Sequence, residues 1–201
     1  MKIGIIGAGG IGQAFAGQMA KAGYDVVLSN SRGPESLAET VRQLGARARA
    51  GTREEAAQAE VVFLSVPWAE VRDALSGLPD WNGRILIDAT NPVLQPGFRL
   101  ADLGGRNSSQ LVASIASGAR VVKTANTLLR AVLAADPRVA GGHRVLFVSG
   151  DDAAANATVG EMLQKAGFAV IDLGGLAVGG YLQQFPGGPL PTLDLIKLES
   201  R

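Results

Sequence analysis

Residues 3–12 read IGIIGAGGIG, an apolar run that breaks into glycines spaced as G-x-G-x-x-G. The apolar run is typical of a buried strand, and the residues after the glycines have helical spacing. In this setting Gly7 permits a tight turn, Gly9 lets the backbone approach a pyrophosphate, and Gly12 lets the helix pack closely on the strand. A second strand follows at 26–29, so the stretch predicts a dinucleotide-binding βαβ unit. A glycine-rich turn in another α/β unit is the alternative.

The end of the second strand indicates which nucleotide is preferred. It reads Ser29-Asn30-Ser31-Arg32, whereas a unit that prefers NAD usually has an acidic residue there. Asp25 comes before the strand and Glu35 after the turn, so neither is well placed for a ribose hydroxyl. Ser31 can hydrogen-bond a 2′-phosphate and Arg32 can pair with its charge, which favours NADP(H) over NAD(H). Arg32 as a solvated loop residue is the alternative.

Composition excludes several classes of function. The 201 residues include 19 basic and 18 acidic side chains and no cysteine. Without excess charge we expect no nucleic-acid partner, and without cysteine there is no disulfide, thiolate metal site or cysteine nucleophile. No apolar stretch has the length of a membrane span, and the N-terminus lacks a signal pattern. We therefore expect a cytoplasmic protein with no membrane partner.

Strand-like and helix-like segments alternate along the whole chain. This alternation predicts an α/β protein, a Rossmann-type doubly wound parallel sheet with a small C-terminal α/β domain. We expect residues 1–119 to form the NADP-binding domain and residues 120–201 the small domain that completes an acceptor cleft. Residues 47–50 are expected as a short third strand, and Thr52 and Glu55 have the spacing of a capping box.

Three further strands end in segments that a ligand could reach. We predict them at 60–66, 84–88 and 119–124, running into Val66-Pro67-Trp68, Asn91-Pro92 and Ala125-Asn126-Thr127. Ligands of open parallel sheets bind at the carboxyl ends of the strands, so these segments are expected to converge with the glycine loop. Residues 93–107 are expected to form a long loop with a functional role.

The segments GIIGAGGIG, SNSRGPESL, SVPWAEV, DATNP, VVKTANTL, VLFVSGDDAAA and GFAVIDLGGL, in this order, cover nearly the whole chain. Together they resemble the NADP-dependent oxidoreductases of coenzyme F420, an 8-hydroxy-5-deazaflavin. They also resemble the reductase domain of the membrane-bound metalloreductases. The resemblance implies hydride transfer between NADPH and F420 or a flavin-like acceptor, with the two rings stacked in a cleft between the domains, and a homodimer.

The resemblance also implies roles for individual residues. The pyrophosphate contacts fall on Ala8, Gly9, Gly10 and Ile11, and the 2′-phosphate contacts on Ser31 and Arg32. The nicotinamide side falls on Val66, Pro67, Trp68, Asn91 and Pro92, and the segment under the ring junction on Ala125, Asn126 and Thr127. A flavin or ferric-chelate reductase is an alternative function, and a non-catalytic NADP-binding sensor is another.

Hydride transfer between stacked rings needs orientation and exclusion of water rather than acid–base chemistry. We therefore expect no catalytic acid or base and no metal site. Lys123 is expected at the surface, although it could stabilise a reduced acceptor, and His143 is expected in a turn facing solvent. Trp81 is expected in the core.

Two features of the chain leave alternatives open. Trp68 could flank the cofactor or cap the following helix. Gln183, Gln184 and Phe185 could border the acceptor or form a subunit contact.

Overall fold

The computed structural model describes residues 1–139 and 141–199. The strands are β1 (Lys2–Ile6), β2 (Asp25–Ser29), β3 (Ala48–Ala50), β4 (Val61–Leu64), β5 (Ile85–Asp88), β6 (Val93–Leu94), β7 (Arg99–Leu100), β8 (Arg120–Lys123), β9 (Arg138–Val139), β10 (Gly142–Gly150), β11 (Ala169–Asp172) and β12 (Ile196–Leu198). The α-helices are α1 (Gly10–Lys21), α2 (Ala38–Leu44), α3 (Arg53–Ala57), α4 (Val71–Leu75), α5 (Ser108–Ile115), α6 (Arg130–Ala134), α7 (Ala153–Lys165) and α8 (Tyr181–Gln183). Short 3₁₀ turns cover Pro34–Leu37 and Trp68–Glu70, and a π-helical turn covers Leu176–Gly180.

The sheet has the order β11-β10-β8-β5-β4-β1-β2-β3. From β8 to β3 all neighbours are parallel, and the order reverses between β1 and β4, where open α/β sheets bind ligands. β10 then runs antiparallel to β8, and β11 runs parallel to β10. The predicted α/β fold with a doubly wound, mostly parallel sheet is confirmed. The division at 119/120 stays a prediction; β8 lies just after it and pairs with β5.

Apolar layers cover the two faces of the sheet. On one face Phe15 of α1 stacks on Phe63 of β4 with ring centroids 3.9 Å apart. On the other face α3 approaches β1 so closely that a Cβ on Gly4 would stand 1.8 Å from the carbonyl oxygen of Ala56. Trp81 is buried in the second layer, which confirms that expectation. In the described part of the chain, every helix is too short or too polar to cross a membrane.

Several segments differ from the expectations. The loop expected over 93–107 contains a hairpin of β6 and β7, whose strands are too short to show a pattern in sequence. His143 lies in β10 rather than in a turn, and its Nδ1 lies 2.7 Å from the Gly167 carbonyl oxygen. The expectation that Lys123 is a surface residue is wrong, since its side chain is fully buried.

Candidate functional site

Two positions of the glycine loop after β1 can be occupied only by glycine. Gly7 has a φ of +105°, and a Cβ there would stand 2.2 Å from the carbonyl oxygen of Ser65. A Cβ on Gly12 would stand 2.0 Å from the carbonyl oxygen of Gly7. The Gly7 N–H donates to the carbonyl of Ser29 at 3.1 Å, which joins the loop to the end of β2. The packing of β1, β4 and α1 therefore fixes the loop.

The N-terminus of α1 presents free donors to an anion. Its N-cap is Gly9, which has no side chain to cap the first turn, and that turn carries no acidic residue. The side-chain amide of Gln13 donates to the backbone carbonyl of Ala8 at 2.8 Å. Helix N-termini of this kind bind phosphate groups through backbone N–H groups and the helix dipole. The loop and its donors therefore fit the diphosphate of a dinucleotide.

A cleft of about 860 Å³ opens at the reversal point of the sheet. It runs from the glycine loop to the turn after β2 on one side and to the segment after β4 on the other. The residues that line it are Ile6, Gly7, Ala8, Gly9, Ser29, Asn30, Ser31, Arg32, Gly33, Pro34, Thr52, Arg53, Glu54, Ser65, Val66, Pro67, Glu70, Asp73 and Ala74. The volume is sufficient for a ligand of nucleotide size.

The turn after β2 is held by its own hydrogen bonds, which leave the Arg32 side chain exposed to the cleft. The buried Ser29 hydroxyl donates to the carbonyl of Ile5 at 2.7 Å. The backbone N–H of Arg32 donates to Asn30 Oδ1 at 2.9 Å, and the Asn30 amide donates to the Ser36 hydroxyl, also at 2.9 Å. Asn30 therefore fixes the turn that presents Arg32. The sequence indicates this role, because an asparagine side chain often accepts from the backbone N–H two residues later.

Neither nearby acid competes for a ribose at this turn. Asp25 lies at the opposite end of β2, where it pairs with Arg47 at 3.0 Å, and Glu35 does not line the cleft.

The start of α3 forms part of the cleft that the sequence reasoning missed. Arg53 donates to Glu54 and also reaches the carbonyl of Asp73 at 2.7 Å, so it links α3 to α4. A backbone hydrogen bond, and after it the Arg53 side chain, lower the pKa of Glu54. The sequence indicated this part of the cleft, because the expected strand at 47–50 is followed closely by Thr52. The carboxyl end of that strand lies at the same edge of the sheet as those of the neighbouring parallel strands.

A second group of expected residues meets behind the cleft. The Asn126 amide donates to Asn91 Oδ1 at 2.9 Å, and the Asn91 amide donates to the carbonyl of Asn126 at 3.0 Å. The tail joins them, since Asn126 also donates to the carbonyl of Gln183 at 2.6 Å and the Phe185 N–H donates to Asn91 Oδ1 at 3.1 Å. We call these four residues the asparagine junction. Ala125, next to it, has a φ of +59°, a conformation that alanine rarely adopts.

Three buried acceptor atoms beside this junction have no partner in the parts of the chain described. They are Thr124 Oγ1, Asn126 Oδ1 and Gln183 Oε1. Buried polar atoms are normally hydrogen-bonded, so these atoms mark a place where water or a ligand would be bound.

A buried ion pair lies beneath the junction. Lys123 Nζ donates to the carbonyl of Thr90 at 3.0 Å and to the Ser108 hydroxyl at 3.2 Å, and it lies 3.5 Å from Asp88 Oδ2. Asp88 also accepts hydrogen bonds from the Thr90 and Ser109 hydroxyls. Burial lowers the pKa of Lys123, and the Asp88 carboxylate opposes that change. Both charges are sealed from solvent, so neither is placed to exchange a proton with a ligand.

The expected site residues therefore fall into three sets. Those that line the cleft are Gly7, Ala8, Gly9, Ser31, Arg32, Val66 and Pro67. Those around the asparagine junction are Asn91, Pro92, Ala125, Asn126 and Thr127. The remaining ones lie outside the cleft lining: Gly10, Ile11 and Gly12 are in the first turn of α1, and Trp68 packs on the apolar layer beside α4. Their contacts with ligand stay predictions.

Known proteins with related sequences and structures point to one family. A family model described as "NADP oxidoreductase coenzyme F420-dependent" matches residues 2–92. A hypothetical protein from Sinorhizobium meliloti is 45% identical, covering 98% of this chain and 96% of that one, with a TM-score of 0.93. A "putative F420 dependent NADP-reductase" from Arthrobacter sp. FB24 is 30% identical, covering 88% of this chain and 86% of that one, with a TM-score of 0.74.

A curated relative has a different printed activity. The rat (Rattus norvegicus) protein "Metalloreductase STEAP3" is 31% identical over 193 residues, which are 95% of this chain. The chain spans 37% of the length of that protein. The sequence, the fold and the glycine loop agree with one another: the chain belongs to the family of coenzyme F420-dependent NADP oxidoreductases.

Proposed function

We propose that this protein transfers hydride between NADPH and a deazaflavin or flavin-like acceptor, with coenzyme F420 as the first candidate. The observation that carries the proposal is the cleft at the sheet reversal, where an uncapped helix N-terminus and the Ser31-Arg32 turn face the same space. The 30% sequence identity to the "putative F420 dependent NADP-reductase" of Arthrobacter sp. FB24 supports this class of acceptor. NADPH binding and the acceptor are separate parts of the proposal.

The two ends of the cleft would bind the two ends of the nucleotide. Ser31 and Arg32 would hold the 2′-phosphate, because a guanidinium can pair with it through two parallel hydrogen bonds. The free N–H groups of α1 would hold the diphosphate. Val66 and Pro67 line the opposite end of the cleft, so the nicotinamide would lie beside the segment after β4.

The acceptor would lie at the asparagine junction. Bound NADPH supplies the hydride, and the residues of this chain orient the two rings and exclude water. The family resemblance assigns Ala125, Asn126 and Thr127 to the segment under the ring junction, and the Asn126 amide lies within the asparagine junction. We assign no catalytic acid or base, because the nearby Lys123 is fully buried and held by Asp88.

A flavin or ferric-chelate reductase is the second candidate. The 31% identity to rat Metalloreductase STEAP3 over nearly the whole chain favours it. The two candidates share the nucleotide end and differ only in the acceptor.

Anaerobic mixing of the purified protein with NADPH and oxidised F420 tests both parts of the proposal. Loss of the visible absorbance of the deazaflavin reports hydride transfer. Parallel reactions with NADH, and with FMN plus a ferric chelate, separate the cofactor and acceptor alternatives. No bleaching with F420, together with reduction of the ferric chelate, would favour the second candidate, and NADPH binding without any turnover would favour a sensor.

The Arg32→Ala variant tests the cofactor part. We expect it to raise KM for NADPH about tenfold to a hundredfold, the loss of one or two charge-assisted hydrogen bonds. Arg47→Ala is the matched control, because Arg47 pairs with Asp25 at the other end of β2, and it should stay within about twofold of wild type. Equal KM values for Arg32→Ala and Arg47→Ala would contradict the assignment of the 2′-phosphate.

A further inference from the structure

Arg130, the first residue of α6, lies against the glycine loop. A methyl group built on Gly10 would stand 2.5 Å from Cδ of Arg130 and 3.3 Å from its Cγ. The backbone of Gly10 is helical and could be adopted by any residue. Glycine is needed at this position because a side chain would collide with Arg130. The stem of Arg130 therefore occupies the place that a side chain at position 10 would take.

The packing of α6 on α1 fixes this placement. Gln18 of α1 donates to the carbonyls of Leu133 and Ala135 at 2.8 and 2.7 Å, which holds the C-terminal end of α6. The two helices run side by side in the same direction, so the start of α6 reaches the start of α1. Arg130 is thereby placed at the helix N-terminus that faces the cleft.

The guanidinium of Arg130 has its donors free. It is exposed, and in residues 1–139 and 141–199 it takes part in no side-chain hydrogen bond or ion pair. An exposed guanidinium and the positive end of a helix dipole both attract an anion that binds between them. The Arg130 guanidinium and the N-terminus of α1 together therefore favour a ligand with a concentrated negative charge.

We propose that Arg130 binds the diphosphate of the bound nucleotide, opposite the N–H groups of Gly9, Gly10 and Ile11. The proposal rests on the proposed binding of NADP(H), and it adds a contact from the second part of the chain to a site otherwise built from the first. A guanidinium can chelate two phosphate oxygens at once. Binding would then connect α6 to the glycine loop through the ligand.

Calorimetric titration with three probes tests this role without any acceptor. NADPH carries both the diphosphate and the 2′-phosphate, NADH carries only the diphosphate, and adenosine 2′-monophosphate carries only the 2′-phosphate. We expect Arg130→Ala to raise Kd about tenfold to a hundredfold for NADPH and by the same factor for NADH. Adenosine 2′-monophosphate should bind Arg130→Ala within about twofold of wild type.

Arg32→Ala supplies the opposite pattern, with weaker binding of NADPH and adenosine 2′-monophosphate but unchanged binding of NADH. Arg47→Ala should leave all three probes unchanged. An NADPH Kd for Arg130→Ala within twofold of wild type would overturn the proposal, as would an equal loss for adenosine 2′-monophosphate. Because no acceptor is present, a failure of hydride transfer to F420 leaves this test unaffected.

Discussion

Lys123 and Asp88 form an ion pair whose two charges are both removed from solvent. Both side chains are fully buried, and their hydrogen bonds join the strand ends of β5 and β8 to the start of α5. Removing two charges from water is expensive, and only close pairing compensates for it. The pair therefore makes the positions of the two strand ends depend on each other.

Replacing one partner of this pair should destabilise the fold. We expect Lys123→Met to lower the free energy of unfolding by about 3–5 kcal/mol, because the Asp88 carboxylate stays buried without its counter-charge. The double variant with Asp88→Asn should recover most of the loss, since the amide can still accept from Thr90. Denaturant unfolding of the three proteins measures this. A single variant within about 1 kcal/mol of wild type would show that the pair contributes no such coupling.

The same pair gives an alkaline pH dependence. Burial holds the pKa of Lys123 below its usual value of about 10.4 in the folded protein. Between the two pKa values the unfolded chain binds more protons, so this lysine makes folding more favourable as the pH rises through that window. We expect the stability of wild type relative to Lys123→Met to increase with pH toward the usual lysine pKa, measured by urea unfolding at each pH. A constant difference would contradict the lowered pKa.

The burial of Lys123 could not be predicted from its neighbours in sequence. A lysine at a strand end is usually solvated, and the groups that bury this one come from positions 88, 90 and 108. By contrast, the tight turn at Gly7 and the close packing at Gly12 could be predicted from the glycine spacing, while the approach of Gly9 to a pyrophosphate stays a prediction.

Helix α3 shows how the N-cap residue fixes the start of an element at the cleft. The Thr52 hydroxyl accepts from the Glu55 N–H, and the Glu55 carboxylate accepts from the Thr52 N–H. This capping box was predicted from the spacing of the two residues and is confirmed. It sets the start of the helix from which Arg53 reaches across to α4.

Loss of that cap should have a moderate cost. We expect Thr52→Ala to lower the free energy of unfolding by about 1 kcal/mol, the usual value for an N-cap. Thr158→Ala is the matched control, because the Thr158 hydroxyl bonds within its own helix to the carbonyl of Ala154. Its effect should stay within about 0.5 kcal/mol. Thermal unfolding measures both, and equal losses would exclude a capping contribution at Thr52.

The elements that the sequence predicts well are those with a periodic apolar pattern. The central strands β4, β5 and β8 lie within the spans expected for them: β4 and β5 are apolar runs, and β8 has two valines between helical segments. The β6–β7 hairpin has two-residue strands and thus no period. Helix α6 starts only at Arg130, because Asn126 and Thr127 are held in a non-helical segment by contacts with the tail.

At the scale of the whole molecule, the large exposed apolar side chains are distributed unevenly. Apart from Met1, those in the described part of the chain lie between residues 98 and 198, including Leu129, Val178 and Leu198. The nucleotide end, residues 6–74, contributes none. Because these side chains are concentrated in residues 98–198, we propose that this part of the chain forms a homodimer that covers them.

Light scattering after size exclusion tests the assembly. We expect twice the mass of one chain, because a symmetric pair would cover this surface on both copies. Leu198→Asp places a charge on the most exposed of these side chains, at 67%, and should shift the population toward single chains. Gln43→Asp adds the same charge on α2 and should not. A single-chain mass at all concentrations would rule out the homodimer.

The cleft takes all its lining residues from positions 6–74, while the asparagine junction takes its residues from positions 91, 126, 183 and 185. Under the proposed assignments, most residues that select the nucleotide and those that border the acceptor are encoded in separate stretches of the gene. A mutation in one stretch can then change the acceptor site and leave the nucleotide site unchanged. We therefore expect that a lineage could keep its reductant while it acquires a new electron acceptor, through changes in the codons for the tail at positions 183 and 185.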